Sequence, residues 1–185
     1  MKERLVKDLM IPVGEYATVG QGVRLIDAIR LLEERQKTVA EHRQPYRAVL
    51  VVGYDGKIVG KIGHLGFLKA LEPRYNVVKD IDKLAKTGLS AEFISSMMEH
   101  FNLWRDDIFT ICKQAQTIKV QDVMHHITES IDENAKLTEA IHKIVMWQTL
   151  SLLVTKNNEV VGILRLSDLF EEVSQYILSQ CEAGQ

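Results

Sequence analysis

Hydrophobic positions along the chain recur with two periods that alternate in a fixed order. Leu25, Ala28, Ile29 and Leu32 fall at i, i+3, i+4 and i+7, and Leu137, Ala140, Ile141, Ile144 and Val145 repeat that spacing. Each set predicts an amphipathic helix with one face on a core. A strand run follows each helix: Ala48-Val49-Leu50-Val51-Val52 in the first case, Leu152-Leu153-Val154 in the second. Each run leads through a turn to a second strand, Lys57-Ile58-Val59 or Val160-Val161. Gly53-Tyr54-Asp55-Gly56 makes the first turn with an Asp-Gly suited to positive φ, and the asparagines of Thr155-Lys156-Asn157-Asn158-Glu159 fill that role in the second. A closing helix ends each copy. Its predicted inward positions are Leu65, Leu68 and Leu71 in one, and Leu166, Leu169, Phe170, Val173 and Ile177 in the other.

The repetition reaches individual boxes. Val6-Lys7-Asp8-Leu9-Met10 returns as Val120-Gln121-Asp122-Val123-Met124 at a shift of 114, Thr18-Val19 returns as Ser130-Ile131 at 112, and the hairpins match at 102. The shrinking shift gives the first copy about twelve extra residues, most of them at 33–46. That stretch is charged and mixed in sign, predicting a helix extension and an exposed loop. Residues 72–119 are too long for an ordinary connection. Pro73 ends the preceding helix, 77–86 reads as a helix with Gly88 beyond its end, and Ser90 is placed to cap another at 91–101. Leu103, Trp104, Ile108, Phe109 and Ile111 continue the apolar signal, so the spacer is expected to be a small helical subdomain.

Bulk properties narrow the function. Across 185 residues, 46% hydrophobic and 26% charged positions suit a globular protein, and a net charge of -2 gives no field to gather nucleic acid or anionic lipid. The two cysteines, Cys112 and Cys181, lack metal-type spacing and fit a reducing compartment. The longest apolar run, Ala48 to Val52, is far below the ~18 residues of a membrane span. Met1-Lys2-Glu3-Arg4-Leu5 carries charge but no apolar leader. A cytoplasmic protein is expected.

Chemistry concentrates in Val160-Val161-Gly162-Ile163-Leu164-Arg165-Leu166-Ser167-Asp168-Leu169-Phe170, a strand that turns straight into a helix. Unpaired N–H groups at the helix start, with Ser167 and a carboxylate at Asp168, suit the hydroxyls of a nucleotide's sugar. Asp168 would also serve simply to cap the helix. The equivalent stretch in the first copy is Ile58-Val59-Gly60-Lys61-Ile62-Gly63-His64-Leu65-Gly66-Phe67-Leu68. No nucleophile elbow, phosphate-gripping glycine loop or zinc-protease motif occurs, so catalysis is not expected. His125-His126 alternate across an extended segment without further ligands, so no metal is expected either. A helix-turn-helix reading of the spacer fails because 91–101 carries Glu92 and Glu99 and no Lys or Arg.

An Asp-(Leu/Val)-Met box, a Thr/Ser-Val/Ile strand start, an amphipathic helix, a hairpin and a Gly-Ile-x-x-x-x-Asp-Leu helix start, in that order and twice, resemble a tandem pair of cystathionine β-synthase (CBS) domains, a Bateman module. The resemblance spans roughly residues 5–71 and 119–178. It implies an α/β (α+β) fold of two βαββα repeats with pseudo-twofold symmetry and a helical spacer between them. The division that follows is repeat 1 at 1–71 with an insertion at about 33–46, the spacer at 72–119, repeat 2 at 120–178 and a tail at 179–185. It further implies a homodimer and a regulatory role, in which AMP, ADP, ATP or S-adenosylmethionine binds and a partner protein responds. No cofactor is required.

Ligand-binding members of the family begin the closing helix with Thr/Ser-x-x-Asp. Here Arg165 takes the hydroxyl position and Asp168 is kept, whereas the first copy has Gly63 and Gly66. The resemblance therefore implies one adenosine site, in the second copy's cleft. Asp168 would hold the ribose with Ser167 beside it at the helix start, Arg165 would offer a fork to phosphate, and Ser130, Ile131 and Leu152 would wall the adenine. The alternative is a ligand-free interaction or dimerisation module that uses Phe93, Met97, Met98, Phe101 and Trp104 of the spacer.

Overall fold

The computed structural model describes residues 4–37, 45–71 and 108–183, together with Ser90, Glu92, Phe93, Ser96 and His100. In chain order the elements are β1 (Ile11–Pro12), β2 (Thr18–Gly20), α1 (Leu25–Lys37), β3 (Ala48–Val52), β4 (Ile58–Gly63), α2 (His64–Leu71) and α3 (Ile108–Thr117). The second copy follows as β5 (His125–His126), β6 (Ser130–Asp132), α4 (Leu137–Trp147), β7 (Ser151–Lys156), β8 (Glu159–Arg165) and α5 (Leu166–Ala183). Two four-stranded sheets result, ordered β2-β3-β4-β5 and β1-β8-β7-β6. In each, a parallel pair flanks an antiparallel hairpin, with Thr18 opposite Leu50 in one and Ser130 opposite Leu153 in the other.

Continuous apolar runs in β3 and β7 follow from burial on both faces. Val49 and Val51 point to the first core with Leu25, Ala28, Leu32 and Phe67. Leu152 and Val154 point to the second, with Leu137, Ala140, Ile144 and Leu169. The alternate residues Leu50 and Leu153 face each other across the seam, where Tyr16, Ile58 and Ile163 complete a third cluster that packs sheet on sheet.

Each sheet takes its last strand from the other copy. Ile11 and Pro12 of β1 pair with Ile163 and Gly162, and His125 and His126 of β5 pair with Lys61 and Gly60. The box before each strand forms a 3-10 turn, Val6–Asp8 or Val120–Asp122, whose acidic residue accepts a backbone amide, from Leu5 to Asp8 (3.0 Å) and from Lys119 to Asp122 (3.3 Å). Val6 is thereby buried in the second core and Val120 in the first. The hairpin glycines make the pairing possible. A Cβ on Gly162 would lie 2.8 Å from the Ile11 carbonyl oxygen and from Met10 Sδ, and one on Gly60 would lie 2.4 Å from the His125 carbonyl oxygen.

Several expected positions shift. On α2 the buried residues are Gly66 and Phe67, while Leu65 and Leu68 face solvent. On α5 Leu169 is buried, but Leu166, Phe170 and Ile177 are exposed, as is Val145 on α4. These helices are apolar on more than one side, so periodicity alone does not choose the inward face. The single hairpin shift of 102 also fails, because five residues separate the paired Val52 and Ile58 and four separate Thr155 and Val160. In the spacer, the Ser90 hydroxyl accepts the Phe93 amide at 3.2 Å, as a helix cap would. Glu92, Phe93, Ser96 and His100 are helical. The expected helix at 77–86 with Gly88, together with Met97, Met98, Phe101, Leu103 and Trp104, lies outside the described residues, as does the loop at 38–44.

If the glycines admit the exchanged strands, Gly60→Ala and Gly162→Ala each lower unfolding free energy in urea by about 1–3 kcal/mol, the usual cost of overpacking. Gly14→Ala, with nothing within 4 Å of the added carbon, leaves it nearly unchanged.

Candidate functional site

Strand β8 runs into α5 without a linker, and the Leu166 amide donates to the Leu150 carbonyl at 2.9 Å, which fixes the corner. Arg165 ends the strand and Asp168 lies in the first helical turn, three residues on and on the same side. The two meet as a fork, with Arg165 Nε donating to Asp168 Oδ2 at 2.6 Å and Nη2 to Oδ1 at 2.5 Å. Arg165 Nη1 donates to the Pro45 carbonyl at 3.3 Å, so a second-copy side chain is anchored on first-copy backbone. Only 9% of the Arg165 side chain and 15% of that of Asp168 remain exposed.

Beside this pair opens a cavity of about 320 Å³. The first copy contributes Leu9, Met10, Ile11, Pro12 and Glu15, and the second contributes Arg165, Asp168, Glu171, Glu172 and Gln175. Glu172 is ion-paired with Arg4. Nearby, Tyr16 packs edge-on against Tyr46 with ring centroids 4.7 Å apart, and Tyr46 donates its hydroxyl to the Glu15 carbonyl at 2.9 Å. Burial pushes the Tyr16 phenol up to about 12, and the positive charge of Arg165 opposes that rise.

The pseudo-equivalent cleft is built differently. Gly63 and Gly66 replace the ion pair, and Lys61 of β4 crosses the seam instead. Its ammonium donates to the Ser151 carbonyl at 2.5 Å and the Ser151 hydroxyl at 3.1 Å, with Thr149 Oγ1 and Glu129 Oε2 each at 3.5 Å. Burial pulls the Lys61 pKa down, and the Glu129 charge restores part of it. A further cavity, about 380 Å³, opens where the hairpin turns meet, beside a Lys57–Glu159 ion pair at 2.7 Å.

Of the six residues expected at the site, Arg165 and Asp168 are brought together at the cavity. They engage each other, however, and do not stand open as separate phosphate and ribose groups. Ile131 and Leu152 lie in the second core, 1% and 0% exposed, and do not line the cavity. Ser130 sits in β6, where its carbonyl accepts Lys143 Nζ at 3.2 Å, and Ser167 is half-buried beside the pair without lining the cavity. His125 and His126 are exposed on β5, and no group of three potential metal ligands occurs among the described residues. Glu171 and Glu172 were legible in principle, being three and four residues past Asp168 on one helix face. Lys61 had a signal too, as a charge in the place that Ile163 occupies in the second copy. Glu15 and Tyr16 carried none.

Unfolded tyrosine loses its proton near 10, so below pH 10 Tyr16 is neutral in both states; between 10 and 12 only the folded state keeps the proton, and stability falls as pH rises. Urea unfolding at pH 8 and pH 11 is expected to show wild type losing about 1.4 kcal/mol relative to Tyr16→Phe at the higher pH. An unchanged difference would place the phenol in an aqueous setting.

The family model of the CBS domain matches residues 120–175. No curated protein matches the chain in sequence. A putative acetoin utilization protein (AcuB) from Vibrio cholerae superposes with a TM-score of 0.60 at 19% identity, covering 99% of this chain and 98% of its own. A CBS domain-containing protein of unknown function from Bacillus anthracis gives 0.62 at 16% identity, covering 93% and 94%. CBSX2 in complex with AMP gives 0.57 at 18% identity, covering 93% and 97%; CBSX2 from Arabidopsis thaliana is also similar, at 0.60 and 15%, covering 95% and 97%. CBS domains are generally regulatory rather than catalytic. With two four-stranded sheets built from the same elements in the same order, the chain carries a CBS domain at residues 120–175 and has the fold of a CBS-domain pair.

Proposed function

We propose that this protein is a regulatory sensor that binds an adenosine-containing ligand, AMP, ADP, ATP or S-adenosylmethionine, in the cavity at Arg165 and Asp168, and passes its occupancy to a partner protein. The observation that carries this reading is the Asp168 carboxylate in the first turn of α5, beside a cavity walled by both copies. A ligand held there touches both halves of the fold, which is what a sensor of occupancy needs. The AMP complex of CBSX2, a protein of the same fold, supports the ligand class. The protein acts without a cofactor and without catalysis, in the cytoplasm; among the described residues no helix is long and apolar enough to cross a membrane. Residues 1–71 and 120–178 act as the two repeats, 72–119 as a spacer and 179–185 as a tail.

The working form is a homodimer. Met146, Trp147 and Leu150 at the end of α4, and Leu166 and Phe170 at the start of α5, are all exposed. The Leu150–Leu166 backbone bond places the two groups side by side. Large contiguous apolar surface on a soluble protein marks an interface.

Titration calorimetry and thermal shift with the four ligands are expected to detect binding by at least one; no heat and no shift with any of them at millimolar concentration would overturn the reading. Where one binds, Asp168→Asn weakens it by ~1.5–3 kcal/mol, the worth of a charged hydrogen bond. In sedimentation velocity the wild type runs as a dimer and the Trp147→Asp, Phe170→Asp variant as a monomer. A monomeric wild type contradicts the assignment of that surface.

A further inference from the structure

We infer that the cavity between the two hairpin turns is a second small-molecule site, separate from the one at Asp168, and that it takes a free α-amino acid with an apolar side chain. The cavity, about 380 Å³, lies on the pseudo-twofold axis, because pairs of equivalent residues build its wall. Val13 and Ile127 correspond at the shift of 114, and Ile58 and Val160 at the shift of 102. Gly56 and Asn158 correspond as well, each holding a positive φ, 78° and 63°, at its turn. The residues that follow them break the symmetry, since Lys57 in one copy is matched by Glu159 in the other. Shape is thus shared between the halves, and charge is not.

Binding cavities combine an apolar lining with a few polar groups that fix orientation. Here Ile58 and Tyr16 are 9% and 3% exposed, and the half-buried Val13, Val52 and Val160 extend the same apolar floor. At the rim Lys57 Nζ lies 2.7 Å from Glu159 Oε1, with 63% of each side chain exposed. Their hydrogen bond raises the Lys57 pKa and lowers that of Glu159, so both are charged at neutral pH, and Asp55 adds a weaker attraction on the lysine. An exposed pair of this kind has little net energy to lose on opening. A carboxylate alone would meet Lys57 but leave Glu159 without its cation, and an amine alone would do the reverse. An α-amino acid carries both charged groups on one carbon. Its carboxylate takes Lys57, its ammonium takes Glu159, and one ion pair becomes two charge-assisted contacts. Its side chain then rests on the floor. Arg35 of α1 also lines the cavity and favours the carboxylate end.

Calorimetric titration of the full chain with L-leucine and L-phenylalanine tests this. Beside them run the matching acids without the ammonium, 4-methylpentanoate and 3-phenylpropanoate, and the matching amines without the carboxylate, 3-methylbutylamine and 2-phenylethylamine. At least one of the two amino acids is expected to bind at millimolar concentration or below, and its acid and its amine each bind at least about tenfold more weakly. Lys57→Gln and Glu159→Gln, with folding checked by circular dichroism, each weaken the amino acid by a similar factor. The comparison of amino acid, acid and amine needs only the wild type. No heat from either amino acid at millimolar concentration would overturn the inference. So would an acid or amine that binds as tightly as its amino acid, or an affinity unchanged in either variant. All of these outcomes leave the adenosine reading intact, because it concerns the other cavity.

Discussion

The close approach of backbone at Gly60 and Gly162 sets the architecture. At each glycine a strand from the other copy passes so near that a single added carbon would collide with a carbonyl oxygen. The anchors Val6 and Val120 are carried with those strands into the opposite cores, so each core contains a residue that the other copy delivers. Neither half can complete its sheet without its counterpart. The boxes before these strands are simple devices: an apolar anchor, an acidic residue that ties the turn, and a methionine laid over the glycine. Because the exchange brings Ile11 and Pro12 against β8, it also builds one wall of the cavity beside Asp168.

Seam polarity is what separates the two clefts. Both hold a cation anchored on the other copy's backbone, the half-buried Lys61 on the Ser151 carbonyl and the buried Arg165 on the Pro45 carbonyl. Lys61 is satisfied by oxygens from the second copy, and the first copy has Gly63 and Gly66 where the second has Arg165 and Asp168. Arg165 engages both oxygens of the Asp168 carboxylate, three residues along its own chain. A buried ion pair adds little net stability over apolar packing, yet losing one partner is costly. The first cleft is thus crossed by a lysine held on the second copy, and the second by an ion pair beside an open cavity.

Much of the fold was legible because the same boxes occur twice in one order, and repetition at matched spacing is hard to produce without a repeated structure. What was not legible depended on direction. Leu65, Leu68, Phe170 and Ile177 are apolar and helical in spacing, but helices with apolar residues on several sides satisfy more than one inward face, and packing against the sheet chose Phe67 and Leu169. The exchange of β1 and β5 leaves no mark in the order of the boxes, since pairing within a copy and pairing between copies read identically along the chain. At the site, the i,i+3 spacing of Arg165 and Asp168 already placed the two on one side. Viewed as separate ligand groups, they hid the simpler possibility that an arginine one turn from an aspartate binds it first. Ile131 and Leu152 lie in β-branched or leucine-rich strands whose alternation turns them to the core and away from the cavity.

A crystal structure of the protein with AMP tests most directly whether an adenosine ligand binds between the copies at Asp168. Ribose hydroxyls on the Asp168 carboxylate, inside the cavity walled by both copies, are the expected result. A nucleotide bound elsewhere, with the Arg165–Asp168 fork intact, would contradict it.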